Sequence, residues 1–467
     1  MATTRGARRR MTTITLLVVG AVAWQGLSLA PAAAGQGAPA VRPKVRVAVL
    51  PFTGPGGGLP EEFGYALGQA LHYGLEQVRD AQAIDAGPIE AAALRLGFVL
   101  GDRLSDDDLL RLGKAVQARG LVVGAFALDG ETLVVRTRLA DLGPTPQVLA
   151  GEEARVPTAD FLKPAEGAVR RVLQQLSVRT TEHDLRRLEA AFGPQTASLE
   201  AYALYGRAAW QQGLGTKEAH ERAVALLTRA VELDQNFVLG RVALGVSLYA
   251  TNNRWKASGE FRKAIQLNDN FAEAHKLLGD MLVTSPRRLY DQAIASYRKA
   301  LEQWPDYAEA RVGLGDGYQA KGQFDEAIGE YQKALALEPN NARVHLGMGK
   351  IYYNEKQLYH EAVAEYQKAM ALDPTLLEVH LSLGELYEEK GLYDEAIARY
   401  RHVLSLEPKH PMATYGLALA YEKVDVPKAI AQWESYIALA ESLPSEKEWM
   451  EIARRHLNKL RRGDKPN

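Results

Sequence analysis

The sequence predicts a mainly α chain, an α-α superhelical solenoid of two-helix repeats preceded by a small α/β domain. Three observations predict it. Between Phe237 and His410, Gly245, Gly279, Gly315, Gly349 and Gly384 recur, with Ala418 in the next slot, at spacings of 34, 36, 34, 35 and 34. Each glycine is followed 12 to 14 residues later by Ala257, Ala293, Ala327, Ala362 or Ala396, and four further on by Phe261, Tyr297, Tyr331, Tyr366 or Tyr400. Ahead of this array, residues 44–178 alternate strand-like and helix-like stretches around a hairpin signal, the pattern of an α/β domain. A chain of 467 residues is also too long for one compact core, and divides into domains or repeats.

Most units close on a proline, Pro305, Pro339, Pro374 or Pro408. With "LGDGYQAKGQFDEAIGEYQKALALEPN" (314–340), the array resembles the tetratricopeptide repeat, whose period is 34 and whose signature runs L-G-x2-Y, A-x3-F and P. The resemblance implies antiparallel helix pairs that bury their apolar faces only by stacking on neighbours. Glycine inside a helix costs about 1 kcal/mol against alanine, so glycine at every turn of the repeat requires a packing reason. Small residues on both helices, glycine on the first and alanine on the second, are expected to let the two backbones approach.

Taken in order, Arg5, Arg8, Arg9 and Arg10 precede a mostly apolar run from Thr13 to Ala30, and Ala32-Ala33-Ala34 offers a cleavage site before Gly35. Residues 1–35 are thus expected to be a signal peptide directing the chain to the periplasm or cell envelope; left uncleaved, the same segment would anchor it in the membrane. Residues 36–43 are a Gly/Ala/Pro linker. "VRVAVLPF" (45–52) reads as a strand, Glu61 to Val78 as a helix, and Ala81 to Asp85 as a short strand. "DAGPIEAAALRLG" and "LSDDDLLRLGKAVQARG" follow as helices, the second with Ser105 as N-cap. "LVVGAFALDGETLVVRTRLADL" is two strands about an Asp129-Gly130 turn, "QVLAGEEARVP" one more strand, and Phe161 to Leu176 a closing helix. "VAVLPF", "ARGLVVGAFALDGETLVVRTRLAD" and "VRRVLQQL" resemble the TolB-like N-terminal α/β domain, found ahead of tetratricopeptide arrays in bacterial proteins; the likeness covers about residues 44–178. A linker helix (179–197), seven repeats (198–442) and a C-terminal capping helix (443–467) complete the chain. Gly206 takes the glycine slot of the first repeat, and Trp433 the aromatic slot of the last.

The chemistry-bearing motifs are incomplete. "GPGGG" (54–58) lacks the Gly-Lys-Ser/Thr of a phosphate loop, and "HEAVAEY" (360–366) lacks the second histidine of a zinc helix. Asp106-Asp107-Asp108 open a helix, where acids favour the dipole. No catalytic, metal or cofactor site is expected. A net charge of −1 argues against a nucleic-acid partner, and the absence of cysteine excludes disulfides, thiol catalysis and a lipidated cysteine anchor. The expected working surface is the concave face lined by first helices. By the family pattern it presents Glu309, Asp316 and Gln319 in unit four, Arg343, Lys350, Tyr353 and Asn354 in unit five, and Glu378, Glu385, Glu388 and Glu389 in unit six. Glu385, Glu388 and Glu389 share one helical face, an arrangement that a protein or peptide carrying Lys or Arg would relieve. The expected function is an exported, non-enzymatic adaptor or scaffold; the alternative is a sensing or regulatory subunit whose α/β head binds a small molecule.

Overall fold

The computed structural model describes residues 44–54, 59–60, 62–100, 103–193, 195–196 and 198–463. The expected signal peptide and linker, and most of the Gly/Pro loop at 54–58, lie outside them. The chain forms two compact units, one ending at Arg287 and one beginning at Arg288.

The first unit begins with strand β1 (Val45–Val49), helix α1 (Phe63–Glu76), β2 (Ala81–Ile84), and helices α2 (Ala86–Leu96) and α3 (Asp106–Ala115). Strands β3 (Gly120–Asp129), β4 (Thr132–Asp141), β5 (Gln147–Val148) and β6 (Glu152–Pro157) and helix α4 (Lys163–Gln175) complete the head. The sheet order is β2-β1-β3-β4-β5, with β6 also on β4; β1 pairs in parallel with β2 and β3, and the rest is antiparallel. β1 is buried where "VAV" crosses the middle of the sheet, as a strand with neighbours on both sides requires. Ser105 caps α3 and Asp108 reciprocates, so the acidic triplet is a capping box. Asp129 pairs with Thr132, so the hairpin loop is Gly130-Glu131, one residue later than the expected turn, and Gly130 takes the positive φ of 64°. The single strand expected from "QVLAGEEARVP" is two, β5 and β6, divided at Leu149 to Gly151.

The expected linker folds as α5 (Glu182–Ala191) and is fastened to the head. Asp184 is buried in its capping box, accepts the Arg79 amide at 3.2 Å, and pairs with Arg187, whose guanidinium also reaches the Gln77 carbonyl at 3.0 Å. Helices α6 (Leu199–Gln212), α7 (Lys217–Leu233), α8 (Val238–Ala250), α9 (Arg254–Leu267) and α10 (Ala272–Val283) follow. No break in the core separates head from array. A Cβ on Gly206 would lie 2.4 Å from the Ala66 Cα, so α6 crosses α1 backbone to backbone, and the head occupies the side a preceding repeat would cover. Edge-on ring contacts run from Phe126 and Phe63 through Phe161 to Tyr202, and Tyr205 meets Phe237 in the same way.

The second unit holds α11 (Tyr290–Gln303), α12 (Ala308–Lys321), α13 (Phe324–Leu337), α14 (Ala342–Asn354), α15 (Tyr359–Leu372), α16 (Leu377–Glu389), α17 (Tyr393–Leu406), α18 (Pro411–Val424), α19 (Val426–Ala440) and α20 (Lys447–Arg461). Within it, α12 packs on α14, α14 on α16 and α16 on α18, so first helices form one layer. The glycine slot meets an aromatic ring and not, as expected, the alanine. A Cβ on Gly315, Gly349 or Gly384 would fall 2.5–2.6 Å from the ring of Tyr331, Tyr366 or Tyr400 of the same unit. The next unit closes on the other side: Gly347 approaches Tyr331, and Gly416 approaches Tyr400. Tyr331 and Tyr400 are thus clasped between glycines of two successive repeats, whereas Ser382 stands where the second glycine would meet Tyr366. The slot alanines Ala293, Ala327, Ala362, Ala396 and Ala429 are fully buried. Trp433 and Tyr436 fill the last pair, and α20 covers them with Ala453, Leu457 and Leu460, a cap and not only a solvated helix.

Candidate binding face of the first helices

The residues expected to bind a partner all belong to α12, α14 and α16, in the first-helix layer of the second unit. The structure brings some of them together. Lys350 Nζ lies 2.5 Å from Glu378, joining α14 to α16. The Tyr353 hydroxyl donates to Glu389 at 2.6 Å, and Tyr359 donates to the other oxygen at 3.3 Å. The Tyr353 ring itself is only 4% exposed, so what it offers the face is its hydroxyl and not an apolar contact. The Tyr331 hydroxyl donates to Asp316 at 2.6 Å and, in a shared bond, to Gln319 at 2.9 Å. Tyr400 donates to Glu388 at 3.4 Å. Glu309, Arg343, Asn354 and Glu385 are exposed. The three clustered glutamates therefore diverge: Glu388 turns toward the core tyrosine, Glu389 toward α14, and Glu385 toward solvent.

Electrostatics follow from this arrangement. Burial, and then the Asp316 carboxylate, push the Tyr331 phenol well above its ordinary value of 10.0. Burial, then Glu388 and Glu385, do the same to Tyr400. Both phenols are therefore protonated donors at neutral pH. The Lys390 ammonium sits 3.0 Å above the Tyr359 ring, placing a cation beside Glu389.

A second set of polar residues escaped the sequence reading. Four residues before the glycine slot, Arg241, Arg311 and His345 reach the glutamate that precedes the slot aromatic: Arg241–Glu260 at 2.8 Å, Arg311–Glu330 at 3.2 Å and His345–Glu365 at 2.6 Å. Lys263, Lys333 and Lys368 clamp the same glutamates one turn on. Arg241 and Arg311 also donate to the Gln235 and Pro305 carbonyls, at 2.6 and 2.8 Å, tying the preceding turn. Burial acts to raise the Glu365 carboxyl, but hydrogen bonds from His345 and Lys368 prevail and hold it below the ordinary range. Unit six breaks the pattern. His380 stands in the cationic slot, Arg399 replaces the glutamate and His402 the lysine. The rings of His380 and His402 lie 4.2 Å apart, tilted by 42°, both reach the Pro374 carbonyl, and His380 Nδ1, buried, makes no hydrogen bond. The signal was visible as a recurring Arg/His and Glu at fixed offsets.

Among the described residues, no group of three or more His, Asp or Glu is placed to hold a metal, and no helix is long and apolar enough to cross a membrane. The head contains a cavity of ≈ 120 Å³ between β4, β6 and α4, walled by Val135, Ala154, Val156 and Pro164 and edged by Lys163 and Arg171.

No curated protein matches the chain. Among solved structures, it is similar to "Crystal structure of MamA" (26% identity, 34% of this chain, 91% of that one, TM-score 0.31). It is also similar to "Crystal structure of YrrB: a TPR protein with an unusual peptide-binding site" (21%, 40% and 96%, TM-score 0.32). A third is "Crystal structure of APC/C hetero-tetramer Cut9-Hcn1" (17%, 63% and 59%, TM-score 0.47). Residues 315–356 and 353–391 match the family described as TPR repeat, and 242–307, 286–318 and 381–444 the one described as Tetratricopeptide repeat. With glycine slots, aromatic slots and paired helices in register with those matches, residues 242–444 are an array of tetratricopeptide repeats, a fold that serves as a protein-interaction scaffold.

Proposed function

We propose that the chain is an exported adaptor, acting in cell-envelope assembly or trafficking, whose first-helix face binds an extended or helical protein segment carrying Lys or Arg. The observation that supports this reading is the carboxylate wall of α12 and α16: Asp316, Glu385, Glu388 and Glu389 lie on one layer, and core or neighbouring tyrosines hold three of them. A lysine or arginine side chain entering beside them gains charge-assisted hydrogen bonds and relieves repulsion between like charges. The residues resembling a TolB-like domain would then serve as a base for the first repeats, with which they share one core. Anisotropy titrations with a labelled lysine-rich peptide and an aspartate-rich peptide of equal length test the reading. Binding of the lysine-rich peptide alone supports it; equal binding of both, or of neither, rejects it.

The second reading, a head that senses a small molecule, is supported by the ≈ 120 Å³ cavity: its walls are apolar, and its edge carries Lys163, paired with Asp160, and Arg171, paired with Glu152 and Thr137, so that a small apolar carboxylate would enter by displacing Glu152 from Arg171. Gly167, on α4, lines it, with nothing within 4 Å of where its Cβ would be. Gly167→Leu should fill the cavity and abolish any thermal shift given by aromatic or branched carboxylates; shifts equal to wild type would remove the cavity from consideration.

A further inference from the structure

The donor tips of the second-helix aromatics and the carboxylates of the first helices coincide. In unit four, Tyr331 donates to Asp316, one residue after the glycine slot, and to Gln319, four after it. In unit six, Tyr400 donates to Glu388, again four after the slot. In unit seven, Trp433 replaces tyrosine, yet its Nε1 donates to Glu422, at the same offset, at 2.8 Å. In unit two, the aromatic is Phe261, which has no donor, and the corresponding positions are Val246 and Tyr249, which carry no charge. Unit five has Tyr366 with Lys350 and Tyr353 at those positions, so the ring is required by packing whether or not a carboxylate is present.

We infer that the polar tips of Tyr331 and Tyr400 are positioning residues for the binding face: each donates from the core to a first-helix carboxylate and so fixes its rotamer and orients its charge toward a cationic partner. The inference rests on the reading of this face as a site for basic segments. Its physical content is separate. A hydroxyl donor stabilises the charged form of its acceptor and opposes the desolvation of a half-buried carboxylate. Holding the side chain beforehand also removes part of the ordering cost that a partner would otherwise meet. Because burial and the neighbouring carboxylates raise both phenols above their ordinary value, both donate at neutral pH. Phenylalanine at this slot in unit two shows that the ring without the hydroxyl satisfies the glycine-lined space.

The test uses the full chain with Tyr331→Phe, Tyr400→Phe and the double variant. Carboxyl carbon titration by NMR, with no partner present, should show the Asp316 pKa raised in Tyr331→Phe by about half a unit to one unit, the equivalent of one modest hydrogen bond. Glu388 should rise by less in Tyr400→Phe, since that bond is longer. Binding of fluorescein-labelled hexalysine at low salt should weaken about three- to tenfold in the double variant. Carboxyl titrations identical to wild type would overturn the inference, whatever the peptide does. If the titrations shift but hexalysine binds neither protein, the reading of the face as a site for basic segments fails while the positioning of the carboxylates stands. If a phenylalanine variant does not fold, Asp316→Asn serves: the Tyr331 hydroxyl proton, slowly exchanging and downfield in wild type, should move upfield and exchange faster, and an unchanged resonance would overturn the inference.

Discussion

At the residue scale, glycine in this chain has two opposite meanings, and substitution separates them. Gly315 has no room for a methyl, because its Cβ would sit 2.5 Å from the Tyr331 ring, which Gly347 holds from the other side. Gly315→Leu should therefore destabilise by about 1–3 kcal/mol or more through overpacking. Gly315→Ala should also destabilise, although alanine is the better helix former. Gly329 in α13 has nothing within 4 Å of its would-be Cβ. Gly329→Ala should stabilise by about 0.5–1 kcal/mol, the usual gain for a helix interior. Urea unfolding of the three variants tests this; equal effects at positions 315 and 329 would mean that the glycine slot is not a steric requirement.

At the element scale, the charged clamp between the two helices of a repeat makes unit six the acid-sensitive one. Removing the acid from a clamp leaves the half-buried Arg311 without its carboxylate, so Glu330→Gln should cost about 1 kcal/mol, read as a lower denaturation midpoint. In unit six, burial lowers the pKa of His380 below its ordinary 6.5; the Pro374 carbonyl and Asp373 oppose this, and His402 and Arg399 add to it. Burial lowers His410 as well, with Glu407 and Glu446 opposing. A histidine whose folded pKa is depressed binds its proton first in the unfolded chain. Its contribution to stability is thus complete above about pH 6.5 and is lost as pH falls through the unfolded and then the folded pKa. Glu365, held below 4.5, keeps its contribution until more acidic conditions. The melting temperature should accordingly fall from about pH 7.5 to about pH 5.5, and Arg399→Glu, which supplies the acid present in units two, four and five, should reduce that fall. An identical pH profile in Arg399→Glu would show that His380 does not govern it.

At the scale of the whole molecule, the repeat register was legible because glycine and aromatic are forced into contact at a fixed offset, and both are rare enough in helices to show the period. The head was legible as alternating elements, but its junction was not: Gly206 read as an ordinary repeat glycine, whereas it admits the backbone of α1. The clamp left a periodic trace, Arg or His and Glu at fixed offsets, but not its pairing, since Arg241 and Glu260 lie 19 residues apart and become neighbours only when two helices pair. On the candidate face, sequence offsets assigned these residues to first helices, where the structure has them, yet missed the orientation of Tyr353. Unit five carries one extra residue, its turn places Gln357 at a positive φ of 54°, and the tyrosine ring turns into the core. For export, mass spectrometry of the purified chain should find a mature N-terminus near Gly35, and an intact Met1 end on cytoplasmic protein would reject that part of the account. The central claim concerns the carboxylate wall, and titration of a labelled lysine-rich peptide into wild type and the Glu385→Lys/Glu388→Lys variant, at about 20 mM and about 500 mM salt, tests it most directly. Affinity should be about tenfold or more weaker in the variant at low salt, the gap should close at high salt, and the circular dichroism spectrum should not change; equal affinities at both salts would place the binding surface elsewhere.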